Sequence, residues 1–382
     1  MLAFAVISTH LGGAEKSLLD LLDGLKHQDK KILAIVPKHQ GPLITRLNEL
    51  GVRHVVLNLP SWYLKVSRKK MIYTLALCPF LFLYSIFYFV KIHSLCKKET
   101  ITKVHTTGLK YHLLFGLYGR LNKSVHIIIH MRDIVKNSLL RRLFSNFAKA
   151  SNIHFISNSS FTAKSLSPCP SRVIYNGFPL LEAKPKGSQL KAHLHIPEQD
   201  YLIGIVGVIA RWKGQREFVL MAQSLLEKRK DLYFLVVGSE IYDTAGEAGE
   251  LSLLKDMVKE AGIEGAFRFM DFQEDITQVY SALDVLVHAS IAPEPFGRVI
   301  VEAMFSRCPV TAAELGGPLE IITHDLNGLL HKSGQVGSMI ENVEKLLSDP
   351  SLRERLVEEA YKKAKSFSME SHLKQMKIEL KI

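Results

Sequence analysis

From Ala3 onward the chain alternates short aliphatic runs with helix-length amphipathic segments, a rhythm that leaves few architectures open. Strand-like runs in the first half are Ala3–Ile7, Ile32–Val36, His54–Leu57, Lys103–Thr106, Val125–His130, His154–Ser157 and Arg172–Tyr175. In the second half they are Leu202–Val206, Tyr233–Val237, Phe267–Met270, Val285–His288 and Pro309–Ala312. Most are continuously apolar, as parallel strands covered on both faces must be. Segments such as Glu15–Leu25 and Gln215–Lys228 supply the intervening helices. The two series are separated by Phe178–Asp200, which carries Pro179, Pro185 and Pro197 and no apolar period, and so reads as a linker. The expected architecture is α/β: two doubly wound, Rossmann-like domains, 1–177 and 201–365, separated by a cleft. A helical tail, 366–382, is able to pack back on the first of them.

Charge divides the chain at the same place. Residues 1–182 hold 25 Lys/Arg against 8 Asp/Glu, and residues 183–382 hold 24 against 29, so the halves carry +17 and −5. A basic domain beside a mildly acidic one implies that the first faces something anionic. The basic residues are dispersed and form no RNA- or DNA-binding signature, so nucleic acid is not the expected partner. Four isolated cysteines (Cys78, Cys96, Cys169, Cys308) form no C-x-x-C pair and fit a reducing cytosol. The apolar N-terminus lacks a basic n-region and a cleavage site, and reads as a first strand rather than a secretory signal.

One segment departs from the rhythm. Met71–Val90 is 20 residues without a charge, flanked by Arg68-Lys69-Lys70 and by Lys91. Three readings are open: a buried crossover helix, a monotopic helix in the membrane interface held by its basic flanks, or a span. Pro79 in its middle, and sheet strands on both sides of it, weigh against the span.

Chemistry concentrates in the stretch from Asp284 to Met304. Glu294 and Glu302 stand eight positions apart, a spacing uninformative by itself in a chain with 24 glutamates. Context is what matters. A buried strand ends near Ser290, Glu294 lies in a loop between Pro293 and Pro295, and a helix begins around Gly297. Loops at the carboxyl ends of parallel strands are where open α/β sheets bind ligands. The backbone amides at Phe296, Gly297 and Arg298 suit a phosphate at a helix N-terminus. Glu302 falls in the first turns of that helix, where a carboxylate can accept from paired hydroxyls.

The run Glu294-Pro-Phe-Gly-Arg-Val-Ile-Val-Glu-Ala-Met304, followed by Pro309-Val310 and Gly316-Gly317-Pro318-Leu319-Glu320-Ile321-Ile322, resembles the donor-binding module of retaining glycosyltransferases of family 4, which have the GT-B fold. Other matches follow in the family's order: Gly12-Gly13-Ala14-Glu15, His130, Asn176-Gly177, Trp212-Lys213-Gly214-Gln215 and Phe267 to Phe272. The likeness spans nearly the whole chain and is loosest between about Leu59 and Lys123.

The resemblance implies that a UDP- or GDP-linked sugar is the co-substrate, bound by the second domain, with the acceptor on the first. It implies that Glu294 binds sugar hydroxyls, Glu302 the ribose, and Lys213 the diphosphate leaving group, with Pro295, Phe296, Gly297, Arg298 and Phe272 around them. Gly12 and Gly13 would let the first loop approach phosphate or acceptor, and His130 would position the transferred sugar. Taken without the family, Lys213 is an exposed lysine at a helix start, and Gly12-Gly13 a plain strand-to-helix turn. On the same terms His130 is a half-buried strand-end histidine, and His288 likewise reads as structural. Many relatives carry arginine where this chain has Val208, so Arg211 is the candidate to share the diphosphate. The chain lacks an apt D-x-D and any H-E-x-x-H, so no metal cofactor is expected.

The leading expectation is a retaining hexosyltransferase acting on a glycan or lipid-linked acceptor at an anionic membrane surface. It would be peripheral on the cytoplasmic face of a bacterial inner membrane, in envelope polysaccharide or lipopolysaccharide assembly. The competing expectations are a nucleotide-sugar 2-epimerase of the same fold and a weakly catalytic, nucleotide-binding partner subunit.

Overall fold

Two parallel sheets, each with helices on its connections, carry the described residues. A computed structural model describes residues 1–26, 31–59, 79–180, 188–240, 249–273 and 275–381. Its contacts separate into one unit made of Met1–Gly177 with Met369–Ile382 and a second made of Phe178–Ser368.

In the first unit the strands are β1 (Leu2–Val6), β2 (Ile32–Val36), β3 (His54–Val56), β4 (Lys103–Thr107), β5 (His126–Met131), β6 (Ile153–Ser157) and β7 (Arg172–Val173). They lie in the order β3-β2-β1-β4-β5-β6-β7, every pair parallel. Leu2, Phe4 and Val6 point to one face, against Leu18, Leu21, Leu22 and Leu25 of the helix Gly13–Leu25. Ala3 and Ala5 point to the other, where Tyr111, Phe115 and Tyr118 of the helix Leu109–Leu121 are buried. This two-sided burial is why the strands read as unbroken apolar runs. The helix Met369–Leu380 closes the unit by burying Met376 and Leu380 in the same core as the Gly13–Leu25 helix.

The apolar segment is described only in part. Residues 71–78 lie outside the described residues, and Pro79–Lys98 is a helix that buries Tyr88, Ile92 and Cys96 against the sheet. Among the described residues no helix is long and apolar enough to cross a membrane.

The second unit orders β8 (Tyr201–Val206), β9 (Leu232–Val237), β10 (Phe267–Met270), β11 (Val285–His288), β12 (Val310–Ala313) and β13 (Leu329–His331) as β10-β9-β8-β11-β12-β13, again all parallel. In both sheets the order reverses at one place, between β1 and β4 and between β8 and β11. Connections leave such neighbouring strands in opposite directions and open a crevice at their carboxyl ends. Two elements differ from the sequence expectation. β13 is only three residues long, below what a periodicity window resolves. The Pro-containing segment 178–200 holds a helix, Ser188–His193, tied to the second unit where Lys191 Nζ donates to Asp284 Oδ2 at 2.9 Å.

Candidate active site

The crevice beside β8 and β11 is lined by two loops that tight glycines bring together. After β8 the chain runs through Gly207 to a 3-10 turn, Arg211–Lys213, then Gly214 and the helix Gln215–Lys228. Gly214 has φ +78°, and a Cβ there would stand 2.0 Å from the carbonyl oxygen of Ala289, just past β11. Only glycine lets the two loops touch at that point. The contact is fixed by the Ile291 amide donating to the Trp212 carbonyl at 2.9 Å. The β11 loop is held from its other side, where the Gly317 amide donates to the Glu294 carbonyl at 2.8 Å. A Cβ on Gly317 would meet the Phe296 backbone at 2.4 Å.

These constraints set Glu294 in a buried polar cluster. Its Oε1 accepts from Lys213 Nζ at 2.7 Å and from His288 Nε2 at 2.9 Å, and a short bond comes from Ser290 Oγ. Among the described residues no hydrogen bond reaches Oε2. Burial pushes the Glu294 carboxyl upward, but the Lys213 ammonium and the His288 ring more than offset it, so the group stays far below the ordinary carboxylate range. Glu294 is therefore a fixed anion whose second oxygen remains available to hydroxyl donors. Lys213 also lies over the Trp212 ring, 4.6 Å from its centroid.

Glu302 forms a second carboxylate cluster one element away. On the helix Arg298–Phe305 it accepts from Arg298 Nε at 3.0 Å and from the buried Tyr280 hydroxyl at 3.1 Å. Arg298 stacks over Phe178, and Phe296 packs between Phe178 and Phe367, so the Phe296 side chain belongs to the core. Its backbone, with Pro295 and Gly297, shapes the loop. Phe272 is half exposed and its amide donates to Ser239 Oγ at 3.1 Å. Arg211 is engaged away from Lys213, its guanidinium forked onto Glu217 at 2.8 and 2.6 Å.

In the first unit, Gly12 caps the helix Gly13–Leu25, with its amide donating to Glu15 Oε2 at 3.1 Å. Burial raises the Glu15 carboxyl, opposed by backbone bonds and the nearby Arg132 charge. His130, near the end of β5, is fully buried and meets His105 of β4, Nδ1 to Nε2 at 3.0 Å. Arg132 Nη1 donates to Asn176 Oδ1 at 2.8 Å, which joins Asn176 to this region.

The sequence pattern thus points to Glu294 in its loop but not to its partners His288 and Ser290, nor to Tyr280 on Glu302. Among the described residues no group of three or more His, Cys, Asp or Glu is placed to hold a metal ion.

Comparison with known proteins finds likenesses in both sequence and fold. The sequence model of glycosyl transferases group 1 matches residues 188–363. The chain is 33% identical over 174 residues to a 2-deoxystreptamine glucosyltransferase of Streptomyces kanamyceticus, a match covering 44% of this chain and 43% of the relative. It is 31% identical over 188 residues to a D-inositol 3-phosphate glycosyltransferase of Corynebacterium urealyticum, covering 48% and 43% respectively. The chain thus spans less than half the length of these curated relatives. Over its whole length it superposes on the crystal structure of Anabaena HepE in complex with UDP at a TM-score of 0.82, with 24% identity and 99% of that chain covered. Residues 188–363 are thus similar to the glycosyl transferases group 1 family, and the two sheets have the GT-B fold.

Proposed function

We propose that the protein is a retaining, metal-independent glycosyltransferase that moves a sugar from a UDP- or GDP-linked donor to a membrane-associated saccharide. The observation that carries this reading is the buried cluster in which Lys213, His288 and Ser290 all donate to one oxygen of Glu294. That arrangement leaves a carboxylate oxygen for sugar hydroxyls and an ammonium beside it for a diphosphate. In the transfer, the bond from the sugar's anomeric carbon to the phosphate oxygen breaks and a bond to the acceptor oxygen forms. The acceptor's proton passes to the departing phosphate, and Lys213 with the amides at Phe296 and Gly297 stabilises the charge that develops there. Charge stabilisation of this kind requires no divalent ion. Glu302 takes the ribose hydroxyls, and His130 positions the transferred sugar.

The membrane part of the reading is supported by the first unit. Ile86, Phe87 and Val90 of the helix Pro79–Lys98 and Leu117 and Leu121 of the helix Leu109–Leu121 are exposed apolar side chains. They occur in a stretch, 79–126, with seven Lys/Arg and one acidic residue, Glu99, which pairs with Arg53. Such a surface suits an anionic leaflet, here the cytoplasmic face of a bacterial inner membrane, and an acceptor in envelope polysaccharide or lipopolysaccharide assembly. A partner subunit that binds nucleotide without turnover is the alternative, favoured by Val208 and by the capture of Arg211 by Glu217.

The test is nucleotide release from a panel of UDP-, GDP- and ADP-sugars in EDTA, with and without a membrane extract, beside the Glu294→Ala protein. Release from one donor, increased by extract and abolished by the substitution, is expected. Nucleotide binding without release from any donor would assign the partner-subunit reading instead.

A further inference from the structure

The geometry points to His105 as the positioning residue that decides which ring nitrogen of His130 carries the proton. Both rings are fully buried, and they meet edge to face with centroids 5.1 Å apart. Their one mutual contact is His105 Nε2 to His130 Nδ1 at 3.0 Å, a hydrogen-bond distance. The remaining nitrogens, His105 Nδ1 and His130 Nε2, are buried with no hydrogen-bond partner among the described residues.

A neutral imidazole holds one proton on two nitrogens. Burial, together with the charges of Arg132, His112 and His372 facing the pair, holds both rings well below the ordinary histidine range, so both are neutral near pH 7. The 3.0 Å contact needs one proton, neither two nor none. If His105 donates from Nε2, then His130 carries its proton on Nε2. If His130 donates from Nδ1, then His105 carries its own on Nδ1. The two rings must therefore be the same tautomer, both Nε2–H or both Nδ1–H. The free Nε2 of His130 presents a donor in the first case and an acceptor in the second, and the choice is made jointly with a ring on the neighbouring strand. The packing around the pair is tight: His105 also lies 5.1 Å, centroid to centroid, from the buried Phe4 ring.

The kinetic consequence rests on the transferase reading, in which His130 positions the sugar; the tautomer coupling does not. The experiment uses the full chain labelled with 15N, in which ring-nitrogen shifts assign the tautomers, together with His105→Leu and His105→Gln. Glutamine can place an amide near the position of the imidazole Nε2, whereas leucine cannot. Wild-type protein is expected to show both rings in the same tautomer. His105→Leu should lower kcat about tenfold or more with the donor KM unchanged, the signature of lost positioning rather than lost binding. His105→Gln should stay within about threefold of the parent. Opposite tautomers in the wild type, or full kcat in a folded His105→Leu protein, would overturn the inference. If His105→Leu fails to fold, the wild-type tautomers and the glutamine variant decide it. A wild-type protein that releases no nucleotide counts against the transferase reading, and the tautomer measurement then decides this inference on its own.

Discussion

Lys213 Nζ and Glu294 Oε1 lie 2.7 Å apart across 81 residues of sequence, joined where the loops that follow β8 and β11 meet at the reversal of strand order. Both side chains are largely buried, so neither charge is hydrated as it would be alone. Removing one partner of such a pair costs far more than the pair contributes. Lys213→Met is therefore expected to destabilise the second unit by about 3 kcal/mol. His288 and Ser290 remain on the carboxylate and moderate the loss. The double variant Lys213→Met/Glu294→Gln should recover part of it, as urea denaturation of the single and double variants will read.

The same pair sets an acid response. The folded-state carboxyl of Glu294 is held below its unfolded value, so its stabilisation is present above the ordinary glutamate range and is lost as pH falls through the depressed folded value. In Lys213→Met the folded value rises toward the unfolded one, and burial, now less opposed, pushes it further. Acid unfolding of that variant should begin at higher pH than in the parent, measured by circular dichroism between about pH 2 and pH 6.

Gly214 is expected to be irreplaceable and Gly265 indifferent. A Cβ at Gly214 would meet the Ala289 carbonyl at 2.0 Å from a backbone with φ +78°, whereas nothing lies within 4 Å of a Cβ at Gly265. Gly214→Ala should cost about 2–4 kcal/mol, a melting shift of several degrees, and should move Lys213 off Glu294 with loss of activity. Gly265→Ala should match the parent in both.

What was legible in the sequence follows from where the determinants sit. Ile32–Val36, Phe267–Met270 and Val285–His288 are found at their expected limits because strands covered on both faces carry their signal in every residue. Leu329–His331 pairs on one edge of β12 through three residues, too few for a period to register. The helix Ser188–His193 was masked by neighbouring prolines and lysines. In the site, His288 and Ser290 stand two apart at a strand end and so share a face, a period-2 signal that could have joined them to Glu294. Nothing comparable marks Tyr280, which reaches Glu302 from 22 residues away with β11 between them. The fork of Arg211 onto Glu217 depends on the angle between a 3-10 turn and the following helix, and a sequence encodes that angle only through its packing.

Tyr280→Phe removes a single hydroxyl from Glu302 and leaves the ring in its buried site. The lost bond to a carboxylate should cost about 1.5–3 kcal/mol of stability. Arg298 still holds the other oxygen, so affinity for a nucleoside diphosphate should fall only slightly. Glu302→Gln, in contrast, should weaken that affinity about tenfold if the carboxylate takes ribose hydroxyls. Calorimetric titration with UDP and GDP separates the two effects.

The exposed apolar side chains of the first unit lead to a prediction about lipid. Val90 and Leu121 line one surface depression of about 420 Å³ with Phe89, His93, Asn122, Lys123 and Ser124, and Lys91 lies over the Phe87 ring nearby. Apolar insertion and lysine attraction act together on such a surface, with each lysine near an anionic leaflet worth about 1 kcal/mol. The protein should therefore co-sediment with vesicles containing phosphatidylglycerol and only weakly with pure phosphatidylcholine. Raising the salt from 0.1 M to 1 M, which shortens the screening length from about 10 Å to about 3 Å, should release most of it. Val90→Glu/Leu121→Glu should abolish binding while the melting temperature stays near that of the parent, because both side chains are solvent-exposed in the fold. Equal binding to both kinds of vesicle, or full binding by the double variant, would count against membrane docking through these helices.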